Sequence, residues 1–230
     1  MSTSPFLADF NIDFSRPVYT LVELADRFGD IPANRICMSP APGQATEQHV
    51  LAYQSRHGRL FELVERTLIE KAMGTFESFV AIQIAIAIGT YLKSNPIGFL
   101  LGADGMLRLQ PDLIRIPDVS FISTERGRQA GFPHEPIASL SPDLAVEVIS
   151  PSNGRREMAD KLKEYFDNGS LEVWYVYPQQ REVHRYTSVE AHEVLAETAM
   201  LTTPLLPSFE LRIAEVFVDP LTVPPPSAPG

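Results

Sequence analysis

Hydrophobic spacing divides the chain into a helical start, a strand-rich middle and a strand–helix–strand unit. Near the beginning, "YTLVELADRF" (19–28) has Thr20 placed as an N-cap, and "ATEQHVLAYQSR" (45–56) follows the loop "SPAPG". The stretch "LFELVERTLIEKAMG" (60–74) alternates as a strand does, with a break near Arg66 and Thr67 that predicts a hairpin or two short strands. The longest helix is predicted over 75–95, "TFESFVAIQIAIAIGTYLKSN", from an N-cap at Thr75 to the residue before Pro96; it is apolar almost all round, which predicts a central position. Short strands follow at 97–103, 106–110 and 114–123, the first two joined by the turn "ADG", so a meander is expected beside that helix. After the loop 124–141 come a strand (143–150), a helix (about 155–168) and strands at 171–177 and 182–188. The crossover from strand 143–150 to strand 171–177 is predicted to be parallel.

This order predicts an α/β fold, a mixed β-sheet flanked by helices. A helical N-terminal extension (1–55) precedes the main domain (56–217), and the Pro-rich segment 218–230 reads as a disordered tail.

Composition sharpens the picture in three places. A single cysteine, Cys37, excludes an intramolecular disulfide and cysteine-rich zinc sites, and points to a reducing, cytoplasmic setting. The most apolar run, 79–91, contains Gln83 and falls short of the roughly 20 residues of a membrane span, so no membrane partner is expected. The net charge of −10 argues against a general nucleic-acid coat protein, yet residues 108–163 hold eight basic and eight acidic residues, leaving local room for a phosphate-bearing partner.

Candidate chemistry starts with Glu147. In "DLAVEVIS" the alternation puts Leu144, Val146 and Val148 on one face and Ala145, Glu147 and Ile149 on the other. A carboxylate among apolar neighbours neutralises, pairs with a cation in a structural network, or binds a metal. Asp118, in "RIPDV", lies on a neighbouring predicted strand, where Pro117 marks an edge or bulge. Two carboxylates on adjacent strands can hold one Mg²⁺ with waters and a substrate phosphate, the minimum apparatus for metal-assisted phosphodiester hydrolysis. Such a site also needs a lysine. Position 149 is Ile, so the lysine must come from elsewhere: in the next helix Lys161 lies about 85° and Lys163 about 115° from the centre of the stripe formed by Met158, Leu162, Tyr165 and Phe166. Gln83 reads as a buried amide, Trp174 as core, Ser150 and Ser152 as turn and helix-start residues, and Arg155 and Arg156 as a solvated pair. The five histidines lack metal-ligand spacing.

The segments "RIPDVSFIS", "PDLAVEVISPSN" and "DKLKEYFDNGSLEVWYVYP" resemble successive motifs of the Uma family, the Uma-two group of PD-(D/E)xK restriction-endonuclease-like proteins. The likeness extends upstream through "FELVERTLIEKAMGTFES" and covers roughly residues 19–187. It implies a restriction-endonuclease-like core and a Mg²⁺-dependent endonuclease (Mn²⁺ as a substitute) acting on nucleic acid, with DNA the expected substrate. Asp118 and Glu147 would bind the metal, Lys161 would be the active-site lysine, and Glu77 matches an accessory acid in the first turn of the long helix. At Tyr177 this chain departs from relatives that carry an aspartate. Cutting both strands needs two sites, so a homodimer is expected. The alternative is a catalytically inactive binding or scaffold domain, towards which the acidic balance leans.

Overall fold

The computed structural model describes residues 18–222 apart from 73, 133 and 220. The first 17 residues and the segment 223–230, which includes most of the Pro-rich tail, lie outside the described residues.

Helix α1 (Leu21–Phe28) begins where Thr20 and Glu23 cap each other, and it buries Leu24 and Phe28. Helix α2 (Glu47–His57) stops at Gly58, whose φ of 62° is a left-handed conformation that glycine adopts without a Cβ clash. The hairpin forms as expected: β1 (Phe61–Val64) pairs antiparallel with β2 (Thr67–Glu70), with Glu65 and Arg66 turning the chain at positive φ. Next come α3 (Thr75–Ser94), β3 (Gly98–Leu101), β4 (Met106–Gln110), β5 (Leu113–Arg115), β6 (Val119–Ser123), α4 (Thr124–Ala130) and β7 (Ile137–Ala138). The last part holds β8 (Leu144–Val148), α5 (Arg155–Asp167), β9 (Glu172–Tyr177), β10 (Glu182–Tyr186), β11 (His192–Ala196), β12 (Met200–Leu201), β13 (Leu211–Arg212) and α6 (Ile213–Val216).

Two principal sheets form instead of one. The larger has the order β11-β10-β9-β8-β6-β3, the smaller β2-β1-β5-β4-β7, and β12 pairs with β13 apart from both. The expected meander is therefore corrected: β3 pairs with β6 in the larger sheet, whereas β4 pairs with β5 in the smaller one, so the turn at 103–105 carries the chain between sheets. The strand expected over 114–123 is likewise two strands. Pro117, which has no N–H to donate, falls at the break, and pairing resumes when Asp118 N–H donates to Val146 C=O (2.9 Å). β8 and β9 are parallel, as the crossover predicts, with Glu147 opposite Tyr175.

Helices cover both faces of the larger sheet. Val80, Ala81, Ile84 and Ile88 of α3 pack with Leu144, Val146 and Val148, while Met158, Leu162 and Tyr165 of α5 pack with Ala145, Val173 and Tyr175 on the other face. This is the facial division that the alternation in β8 predicts. α3 begins after the N-cap Gly74, not Thr75, and it is not enclosed all round: Phe76, Ile82 and Ile86 are exposed and Gln83 is only partly buried. Its 20 residues have the length and hydropathy of a membrane span, beyond the 13-residue run apparent in the sequence, but its buried face packs on the sheet. The first two helices also join the core, since α1 packs with Val64, Ile69 and Leu113, and α2 contributes Val50 beside Phe61 and Leu63.

Candidate active site

The break between β5 and β6 lies where the two sheets meet, and it places Asp118 beside the end of β8. Asp118 Oδ2 accepts the Val148 N–H at 2.7 Å, and Oδ1 lies 2.8 Å from Lys71 Nζ. Lys71 comes from the end of the β1–β2 hairpin and also donates to Ile116 C=O. Glu147, one residue before the end of β8, points to the α5 side. Its Oε1 accepts from Tyr165 Oη at 2.6 Å and from Lys161 Nζ at 3.3 Å. Lys161 Nζ in turn lies 3.0 Å from Oε1 of Glu62 on β1. Glu62 also accepts the Ile116 N–H (3.1 Å) and pairs with Arg115 (2.8 Å), which reaches on to Glu164 (2.6 Å). Three of the residues expected from the sequence, Asp118, Glu147 and Lys161, thus lie in one buried charged cluster.

Burial decides the electrostatics. Glu62 is fully enclosed, and Lys161, Glu147 and Asp118 are 3%, 5% and 6% exposed. Burial pushes the Glu62 carboxyl up, but Lys161, Arg115 and Lys71 outweigh it and hold its pKa down at about 2. Glu147 goes the other way: burial raises it, the charges of Asp118 and Glu62 add to the rise, and Lys161 and Lys71 only partly compensate. Burial opposes the charge on Lys161, yet Glu147 and Glu62 keep its pKa above the ordinary lysine value. With every group ionised, the cluster holds four acids (Glu62, Asp118, Glu147, Glu164) against three bases (Lys71, Arg115, Lys161), a formal excess of one negative charge that burial opposes by raising Glu147 and Glu164.

That excess and the donor chemistry suit a hard divalent cation. Asp118 Oδ1 is buried with no aligned hydrogen bond, and both hydrogen bonds from side chains to Glu147 fall on Oε1. Among the described residues no group of three or more His, Cys, Asp or Glu side chains is placed to hold an ion by itself. Mg²⁺ does not need one, since it commonly takes one or two carboxylates and fills its octahedron with water and substrate phosphate.

Glu77 is not drawn into the cluster. Its carboxyl folds back over the start of α3, where a Cβ added to Gly74 would fall 2.1 Å from Oε2, and it lines a surface cleft together with Lys71. Lys163 is exposed and pairs with Asp167, which leaves Lys161 as the lysine of α5 at the site. Ser150 and Asn153 bond each other in the turn before α5. Trp174 is buried and donates to Glu172 (3.0 Å). Arg156 donates its backbone N–H to Asp30. Lys71, Glu62 and Arg115 escaped the sequence reading. Glu62 carries the same signal as Glu147, an acid within the apolar strand "FELV"; Lys71, just past β2, carries none that local pattern could reveal.

Comparison with solved structures finds a similar fold in the crystal structure of "a putative nuclease belonging to DUF820" from Anabaena variabilis. The TM-score is 0.61 and the identity 19%, over 69% of this chain and 89% of that one. At that identity the likeness speaks for the fold alone, and it agrees with the α/β restriction-endonuclease-like class expected from the sequence. No curated protein matches the chain. A family model described as "Putative restriction endonuclease" matches residues 46–214, a span that takes in α2, both sheets and every member of the charged cluster. The chain belongs to the Uma2 family.

Proposed function

We propose that this protein is a Mg²⁺- or Mn²⁺-dependent endonuclease that hydrolyses phosphodiester bonds, with DNA as its substrate. The observation that carries the proposal is a pair of buried acids, Asp118 just before β6 and Glu147 on the adjacent β8, each paired with an ammonium group and close enough to interact electrostatically. Family membership supports the same class of chemistry, and the DUF820 neighbour shares the fold.

Asp118 and Glu147 would hold the cation, which when bound polarises a phosphoryl oxygen and lowers the pKa of a bound water. The surrounding residues prepare those carboxylates. The Val148 N–H fixes Asp118 Oδ2, while Tyr165 and Lys161 fix Glu147 Oε1, so both acids are oriented before a ligand arrives. Lys161 is clasped between Glu62 and Glu147 and sits behind the carboxylate; it acts as a positioning residue and adds positive potential where phosphate charge develops. Assembly as a homodimer belongs to the proposal as the means of cutting both strands.

The test is cleavage of single- and double-stranded DNA and RNA with and without Mg²⁺ or Mn²⁺, wild type against Glu147→Ala. The proposal predicts cleavage of DNA that needs the metal and disappears in the variant. Activity surviving both chelation and the substitution would place the chemistry elsewhere, and a folded wild type with no cleavage under any condition would favour a binding module.

A further inference from the structure

The nuclease assignment leaves one question of access. Lys161, the lysine that the sequence points to, is engaged on both sides by carboxylates and its side chain is 4% exposed. The Lys71 side chain is as enclosed, at 5% exposed, and differs in its surroundings: Lys71 borders a surface cleft of about 540 Å³ together with Arg35, Gly74, Glu77, Ser150 and Ser152, and no other member of the buried cluster lines that cleft. Its ammonium is held by Asp118 Oδ1 and Ile116 C=O. Two other long charged side chains at this mouth are already engaged, Arg35 bidentate on Glu157 and Glu70 bidentate on Arg59, while Glu77 adds a carboxylate to its wall. Of the cluster's three cations, Lys71 is therefore the one that borders this cleft, the side from which a phosphate would approach it.

We propose that Lys71 is the phosphate-receiving ammonium of the site, and that it exchanges places with the metal. Without a divalent ion its charge neutralises Asp118; when the ion binds Asp118 Oδ1, the ammonium turns out into the cleft and pairs with the substrate phosphate. The physical grounds are these. An ammonium 2.8 Å from the oxygen that a cation would use contests that oxygen, and like charges so close repel strongly in a poorly screened site. Lysine has a flexible four-carbon stem and a compact charge, so it can make both contacts by rotation. Asp118 Oδ1 has no aligned hydrogen bond to lose in the exchange.

This inference rests on the metal site proposed above, and the experiment separates the two. Mn²⁺ binding is measured by calorimetry, and binding of a short duplex oligodeoxynucleotide in Ca²⁺ by fluorescence anisotropy. The proteins are wild type, Lys71→Met, Lys71→Gln, Lys71→Arg, Asp118→Asn and the exposed control Lys163→Gln. Removing the contesting charge should tighten Mn²⁺ binding about tenfold in Lys71→Met and weaken duplex binding by a similar factor, opposite signs that a merely structural lysine would not produce. Lys71→Gln, which removes the charge but keeps a polar side chain and is expected to tighten Mn²⁺ binding in the same direction, covers the case in which Lys71→Met fails to fold. Lys71→Arg should stay near wild type in Mn²⁺ affinity, and Lys163→Gln should change neither quantity. Unchanged Mn²⁺ affinity in folded Lys71→Met and Lys71→Gln, alongside loss in Asp118→Asn, overturns the exchange alone. Wild type that binds no Mn²⁺ overturns the metal site and the exchange together.

Discussion

Lys161→Met tests the cluster most severely. The side chain links two carboxylates, at 3.0 Å to Glu62 and 3.3 Å to Glu147, in a place where neither reaches solvent. Methionine matches its volume but removes the charge, leaving Glu62 with Arg115 and the Ile116 N–H, and Glu147 with the Tyr165 hydroxyl as its side-chain hydrogen bond. Breaking a buried pair by removing one partner costs roughly 3–5 kcal/mol. In a chain of this size each kcal/mol moves the melting temperature by about 2–4 °C, so a drop of roughly 6–20 °C is expected. The dependence on pH has a definite sign. In the wild type the depressed Glu62 pKa contributes stability that is present above 4.5 and lost as pH falls toward about 2. In the variant both carboxyls lose a cation and their folded pKa values rise. A carboxyl raised above its unfolded value destabilises at neutral pH and is relieved by protonation, so the deficit of Lys161→Met should narrow between pH 7 and pH 5. Urea or thermal unfolding at the two pH values reads this directly. A variant as stable as wild type at pH 7, or one whose deficit widens on acidification, would refute a charge-linked cluster.

Other predictions concern its neighbours. Tyr165→Phe removes a charge-assisted hydrogen bond to Glu147 and should cost about 1.5–3 kcal/mol in urea unfolding. Arg35→Ala breaks the bidentate pair with Glu157 that ties the segment before α2 to α5, and a loss of about 3–5 kcal/mol is expected by the same assay. Glu77 stands apart from the carboxylate pair, so Glu77→Gln should change Mn²⁺ affinity by less than the roughly tenfold loss typical of residues that support a metal ligand. Calorimetry decides that case, and a larger loss would put Glu77 in the metal shell.

Local pattern carried much of this fold. The β8 alternation divided the two faces of the larger sheet, the Gly58-to-Gly74 stretch contained its hairpin, and the helix that bears Lys161 began and ended close to where its spacing indicated. The division into two sheets was hidden, because one residue, Pro117, breaks a run that otherwise alternates as a single strand, and pairing partners are set by distant chain. The same limit governs the site. Glu147 and Asp118 are visible as acids in apolar surroundings, but Lys71 approaches Asp118 from 47 positions away, and only the folded hairpin shows it. The exposure of Ile82 and Ile86 on α3 was equally hidden, since an apolar helix does not declare which of its faces the sheet will cover.

The most direct measurement is anomalous scattering from crystals of the protein grown with Mn²⁺. The predicted result is a single strong peak within bonding distance of both the Asp118 and Glu147 carboxylates, with Lys161 still on Glu147 and the Lys71 ammonium displaced from Asp118. Crystals grown at saturating Mn²⁺ with no peak between those carboxylates, and with Lys71 still paired to Asp118, would contradict a metal-dependent nuclease centred there.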